Sequence, residues 1–165
     1  MSDIYPVLTL LLLFIAAMTD LTARIIRNWV SLAILLLFVL YAASPARDVD
    51  VLPHLFAAAM LFLLLFIGFV FGKIGGGDVK LASVTMLWAG PGAAADFLFV
   101  TALAGGALAL LVISPQAQCL TALLAAPLHR FVRAPAPALA STVPYGVAIA
   151  AGGGVALYGR YLAGG

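Results

Sequence analysis

Leu55 to Phe71 reads LFAAAMLFLLLFIGFVF, without one charged side chain. A few residues on, the chain reads Gly75-Gly76-Gly77-Asp78-Val79-Lys80. The first stretch decides the fold class. A hydrocarbon core about 30 Å thick needs about 20 predominantly apolar helical residues to cross it. The second stretch places a carboxylate at a glycine-rich bend where that apolar run ends. Such a group is costly near hydrocarbon, and ionisable residues there usually mark function.

Outward from this point, the rest of the chain has the same character. Hydrophobic residues make up 65% and charged residues 8%, against about 45–50% and about 25% for a soluble domain. A bilayer-embedded bundle is therefore expected, all-α and polytopic, with residues 1–165 forming a single domain. Helices are expected near Ile4–Thr19, Trp29–Ala43, Val51–Phe71, Val79–Ala95, Phe97–Ile113 and Thr142–Leu162, about six in all. Gly90-Pro91-Gly92 should kink or shorten the fourth. Ser44-Pro45, Ser114-Pro115 and Ala134-Pro135-Ala136-Pro137 mark the other breaks. The first run has no basic residues ahead of it, so it is expected to stay as a helix rather than leave as a signal peptide. Ala117–Leu128 is too short to span and is expected to lie along the interface, with His129, Arg130 and Arg133 toward anionic lipid.

Charge assigns the sides. With the amino terminus outside, the cytoplasmic loops hold Arg24, Arg27, Lys73, Lys80, Arg130 and Arg133, while Arg47 and Arg160 lie outside. This follows the positive-inside rule. Asp3, Asp48, Asp50 and Asp96 then fall outside, and Asp20 and Asp78 at cytoplasmic helix ends. The chain has no glutamate, so carboxylate chemistry on that side rests on these two. The net charge of +2 comes without a basic tract, so nucleic acid is not an expected partner. A lone cysteine, Cys119, excludes an internal disulfide and a zinc knuckle. No set of metal ligands is apparent, and no cofactor is expected.

Each aspartate also has a plain structural reading. Asp78 follows three glycines and can cap the helix it opens. Asp20 can pair with Arg24 at i, i+4 spacing. Together they offer more. Two carboxylates brought close resist double ionisation and share a proton. The ionised member can take a proton from water attacking a peptide carbonyl; the protonated member can polarise that carbonyl and then protonate the leaving amine. The pair titrates as a unit. Gly75, Gly76 and Gly77 remove bulk and let a substrate backbone approach Asp78. Gly68 to Gly72 fits a small-xxx-small packing pattern, and Gly105-Gly106 and Gly152-Gly153-Gly154 also suit close helix approach. Lys80 is read as acting on the charge of Asp78, binding lipid phosphate, or simply lying at the surface. His54 and His129 have no evident catalytic partner.

These residues resemble the type IV prepilin peptidases, the type IV leader peptidase family. Gly75-Gly76-Gly77-Asp78 matches that family's G-x-G-D signature, and Val79-Lys80 extends it. Asp20 to Asn28 looks like its other aspartate motif, with Arg27 where proline is usual and Asn28 in place. Val143-Pro144-Tyr145-Gly146-Val147-Ala148 resembles its Pro-Tyr/Phe-Gly segment near the last helix. The resemblance implies catalytic Asp20 and Asp78, with Gly75, Gly76, Gly77, Lys80 and Asn28 supporting. It implies a membrane aspartic endopeptidase in the bacterial inner membrane. Such an enzyme removes the leader of a prepilin or pilin-like precursor at the cytoplasmic face, and pilus-assembly machinery is a further partner. The cysteine-bearing insertion associated with methyl transfer in larger members is absent, so the chain looks like the short Tad/Flp-type form. Two alternatives remain. One is a G-x-G-D protease of the presenilin or signal-peptide-peptidase kind, although Thr19 precedes Asp20 where those carry tyrosine. The other is a small transporter or assembly component, which inverted repeats or mid-membrane carboxylates would favour.

Overall fold

The computed structural model describes residues 4–45, 49–113 and 143–163. Among these, every regular element is helical. They are α1 (Ile4–Ala23), α2 (Asn28–Ala42), α3 (Val51–Val70), α4 (Gly76–Ile113) and α5 (Tyr145–Leu157). A π-helical turn, Tyr158–Leu162, continues α5. The expected interfacial segment Ala117–Leu128 lies outside the described residues, as do Asp3, Arg47, Asp48, Cys119, His129, Arg130, Arg133 and Thr142.

Among the described residues three runs are long and apolar enough to cross a membrane: Ile4–Ala23, Val51–Val70 and Gly76–Val112, the last of them broken at Gly90. Their surfaces agree. α1 buries one stripe, Pro6, Thr9, Leu13, Ala16 and Asp20, and exposes Ile4, Leu11 and Phe14 elsewhere. α3 buries only His54, Ala58 and Leu61. A helix apolar on all sides yet buried on one suits a lipid environment. The core between helices is built from Leu13, Ile34, Phe38, Leu81, Trp88, Phe97 and Leu157, all nearly inaccessible.

Two boundaries differ from expectation. α1 runs on through Asp20 to Ala23 and stops at Arg24, which takes a left-handed φ of 53°. The fourth and fifth expected helices join into α4, and their break lies at Gly90 rather than near Ala95 and Asp96. Asp96, despite its charge, sits exposed within the helix.

Gly90 has φ 60° and ψ −175°, a conformation glycine tolerates and other residues do not. α5 shows what it does to the chain. A methyl added at Gly153 would meet Thr85, ahead of Gly90; one added at Gly152 would meet Phe97 and Thr101, beyond it. Further along α5, Arg160 reaches back to Ala89. In the other direction, Tyr145 and Ala148 face Gly105. The two halves of α4 therefore run in opposite directions along α5, and the chain reverses at Gly90.

A helix end leaves its last carbonyls without partners, and here Pro91 has no N–H to offer. Three side chains from other elements fill the gap. His54 Nδ1 bonds Leu87 O at 2.7 Å, Tyr161 Oη donates to Trp88 O at 2.9 Å, and Arg160 Nη1 donates to Ala89 O at 2.9 Å. Trp88 Nε1 donates to Ile34 O at 3.1 Å and ties α2 to the same joint. His54 and Arg160, which sequence reading left without a role, are thus structural at this end.

The glycines divide. Gly105, Gly152 and Gly153 do sit where helices meet, while Gly106 and Gly154 have nothing within 4 Å. Gly68 and Gly72 do not form a helix–helix seam. Gly72, at φ 68°, ends α3: Lys73 N–H donates to Gly68 O and Gly72 N–H to Phe69 O. This is a Schellman termination, and Gly68 makes room for Ile74.

Candidate active site

The other end of the bundle collects the carboxyl end of α1 and the amino ends of α2, α4 and α5. Asp20 stands in the last turn of α1 and is 6% exposed. Its Oδ2 accepts the Gly146 N–H at 2.7 Å, and the Val147 N–H also points to it. These amides belong to the first turn of α5: Asp20 takes the Gly146 N–H, which has no partner within the helix, and stands beside the Val147 N–H, which also bonds Pro144 O at 3.2 Å, at the positive end of that helix. Arg24 acts on the same carboxylate electrostatically, as the i, i+4 reading anticipated.

Asp78 is the third residue of α4, not its cap. Its carboxylate reaches back to the Gly75 N–H, the acidic half of a capping box. Asp78 is half-buried, and Asp20 lies close enough for its charge to act on it. The two carboxylates, distant in sequence, thus lie at the same end of the bundle, near enough for their charges to interact.

The glycines between them are packed to different degrees. A Cβ on Gly77 would stand 3.0 Å from Ile26 Cβ and 3.5 Å from Ile26 O; one on Gly76 would stand 3.2 Å from the Phe69 ring. One on Gly75 would meet Asp78 Oδ2 at 2.8 Å. The glycine run thus lets the α1–α2 turn and the end of α3 close against the start of α4. Lys80 Nζ donates to Asn28 Oδ1 at 3.1 Å, joining the first turns of α4 and α2. Lys80 lies at the surface, as one of its expected readings had it, and this bond adds a link between elements that was not among those readings. Arg27 has φ −72° and ψ 133°, the backbone that proline adopts. The turn therefore keeps the shape expected of the family's proline without that residue.

All seven sequence-predicted site residues, Asp20, Asn28, Gly75, Gly76, Gly77, Asp78 and Lys80, lie at this end. Gly146 is the residue that sequence reading left without a role. A Cβ there would stand 2.8 Å from Asp20 Oδ2 and 3.0 Å from both Asp20 Cβ and Cγ. A glycine in the first turn of a helix, directly after Pro144-Tyr145, was the available signal. Among the described residues, no three His, Cys, Asp or Glu side chains are gathered as metal ligands are.

A bundle of apolar helices with two converging carboxylates at one end defines a class, the membrane proteins able to carry an aspartyl dyad. The family model of the type IV leader peptidase family matches residues 7–110. The chain belongs to that family, and the family is one of proteases. The match includes Asp20 and the glycine run ending at Asp78; Gly146 lies beyond it. No curated protein and no solved structure matches the chain.

Proposed function

We propose that this chain is a single membrane-embedded peptidase domain that removes the leader from type IV prepilins or pilin-like precursors. The observation that carries the reading is that Asp20 and Asp78 lie at one glycine-rich end of the bundle, within reach of each other's charge. One carboxylate takes a proton from a water molecule as its oxygen bonds the scissile carbonyl carbon. The other gives its proton to the carbonyl oxygen, and the C–N bond then breaks as the amine is protonated. Gly75 keeps a side chain away from the Asp78 carboxylate, whereas Gly76 and Gly77, expected to admit substrate, instead let Phe69 and Ile26 close against α4. Lys80 and Asn28 hold the first turns of α4 and α2 together, and through them the approach to Asp78.

Co-expression with a candidate pilin precursor tests this directly. Leader removal should appear as a mobility shift, and mass spectrometry should find a free amino terminus on the product. The cysteine-bearing insertion associated with methyl transfer is missing, so the purified protein should not methylate that terminus. An unprocessed precursor across a panel of pilin-like substrates would reject the peptidase reading. A methylated product would reject its restriction to one activity.

The proposed orientation places the aspartate end in the cytoplasm of a bacterium, in its inner membrane, with about six crossings. The loop bias of Lys and Arg supports it. Reporter fusions after Arg27 and after Asp48 should report opposite sides of the membrane. Reporters on the same side would overturn the topology.

A further inference from the structure

A cavity of about 400 Å³ opens at the Gly90 end of the bundle, away from the aspartates, within the size range of small-ligand sites. Tyr41, Asp50, His54, Pro91, Arg160 and Tyr161 are among its lining residues. It carries both signs of charge. Arg160 and Asp50 face the same space, yet among the described residues no ion pair joins them.

Each charge is held in place by neutral partners that leave part of it unused. Arg160 gives Nη1 to Ala89 O at 2.9 Å and Nη2 to His54 Nε2 at 3.0 Å. His54 Nδ1 faces Leu87 O, an acceptor only, so the ring proton sits on Nδ1 and Nε2 accepts from the arginine. The Arg160 guanidinium also lies 5.5 Å from the Tyr161 ring centre. These contacts fix a fork with five N–H groups, two of which are bonded among the described residues. Asp50 caps α3 through Oδ1, which accepts the Leu52 N–H at 3.3 Å. Among the described residues its other oxygen has no bonded partner.

Location adds a second constraint. Asp50 immediately precedes the apolar helix that begins at Val51. The cavity therefore lies level with the end of a membrane-crossing segment, where lipid headgroups are found.

We propose that this cavity binds a phosphoethanolamine group, a primary ammonium on a short linker to a phosphate. Arg160 receives the phosphate with its spare N–H groups, since a guanidinium fork matches phosphate oxygens. Asp50 accepts from the ammonium. Tyr41 and Tyr161 form the walls. A trimethylated amine has no N–H to offer Asp50 and should be selected against. The site is independent of the peptidase reading, because none of its residues is part of the aspartate end.

The group has two sources, a phosphatidylethanolamine headgroup or free phosphoethanolamine, and one experiment separates them. The full chain is purified in detergent. Native mass spectrometry then measures retention of phosphatidylethanolamine, phosphatidylcholine and phosphatidylglycerol with matched acyl chains. Calorimetric titration with O-phosphoethanolamine runs alongside. Each is repeated with Asp50→Asn, which keeps a capping oxygen for Leu52 and removes the charge, with a thermal melt to confirm the fold. At least tenfold preference for phosphatidylethanolamine, lost in Asp50→Asn, supports the lipid. Binding of free phosphoethanolamine, lost in the same variant, supports the soluble source. Equal retention of all three lipids with no phosphoethanolamine binding overturns the proposal, and so does a preference that Asp50→Asn leaves intact.

Discussion

Asp20→Asn and Asp78→Asn should each remain in the membrane and lose leader cleavage, by about 10²- to 10⁴-fold, the scale of a positioned acid or base. Asparagine keeps the size of the side chain and a carbonyl oxygen. At position 20 that oxygen can still accept the Gly146 N–H, so the α1–α5 contact survives. What is lost is the ability to take up and release a proton. The experiment has a built-in comparison in Asp96→Asn. Asp96 is exposed on α4 beyond the reversal at Gly90, remote from Asp20, and its variant should cleave like the parent. Cleavage is scored against membrane-extracted protein, so that activity and abundance are read separately. Near-normal processing by either of the first two variants would remove that aspartate from the chemistry.

Gly146→Ala should impair cleavage by displacing Asp20. The added methyl would sit 2.8 Å from Asp20 Oδ2 and 3.0 Å from Asp20 Cβ and Cγ. Swinging the carboxylate aside relieves only part of this, because Asp20 Cβ is fixed to the last turn of α1. The two helices must separate, and Asp20 moves relative to Asp78. A displacement of about 1 Å at a catalytic group costs on the order of 10²-fold, and kcat/KM should fall by about that much. Gly154→Ala is the matched control. It adds the same methyl to the same helix where nothing lies within 4 Å. If Gly146→Ala cleaves within twofold of the parent, the α5 contact does not position Asp20.

Features that depend on local pattern could be read from the chain alone. Val51–Val70 and Ile4–Ala23 announce themselves by unbroken apolarity, and the carboxylates at their edges stand out for the same reason. Features that depend on distant partners could not. The charge of Asp96 looked like a loop between two helices, but an exposed aspartate near the turn of a helical hairpin costs little where it faces water. A kink at Gly90-Pro91-Gly92 was legible and is there; that it is a full reversal depends on His54, Arg160 and Tyr161, which come from elsewhere in the chain. The same holds at the candidate site. That Asp20 and Asp78 would be neighbours was a guess from chemistry. That Asp20 would hold the amides of α5, 126 residues away, has no signature in its own neighbourhood. At Gly72 the error was different: glycines four apart suit both a packing seam and a helix stop, and the positive φ that distinguishes them is not visible in sequence.

The order of synthesis gives the α5 contact a further meaning. A ribosome makes Asp20 and Asp78 well before Gly146. Until α5 is made and packed, Asp20 lacks the amides that hold it, and the carbonyls at the Gly90 reversal lack Arg160 and Tyr161. One late segment therefore completes both ends of the bundle, its first turn at the carboxylates and its last at the reversal. A half-made chain in the membrane would carry both aspartates without a fixed arrangement between them.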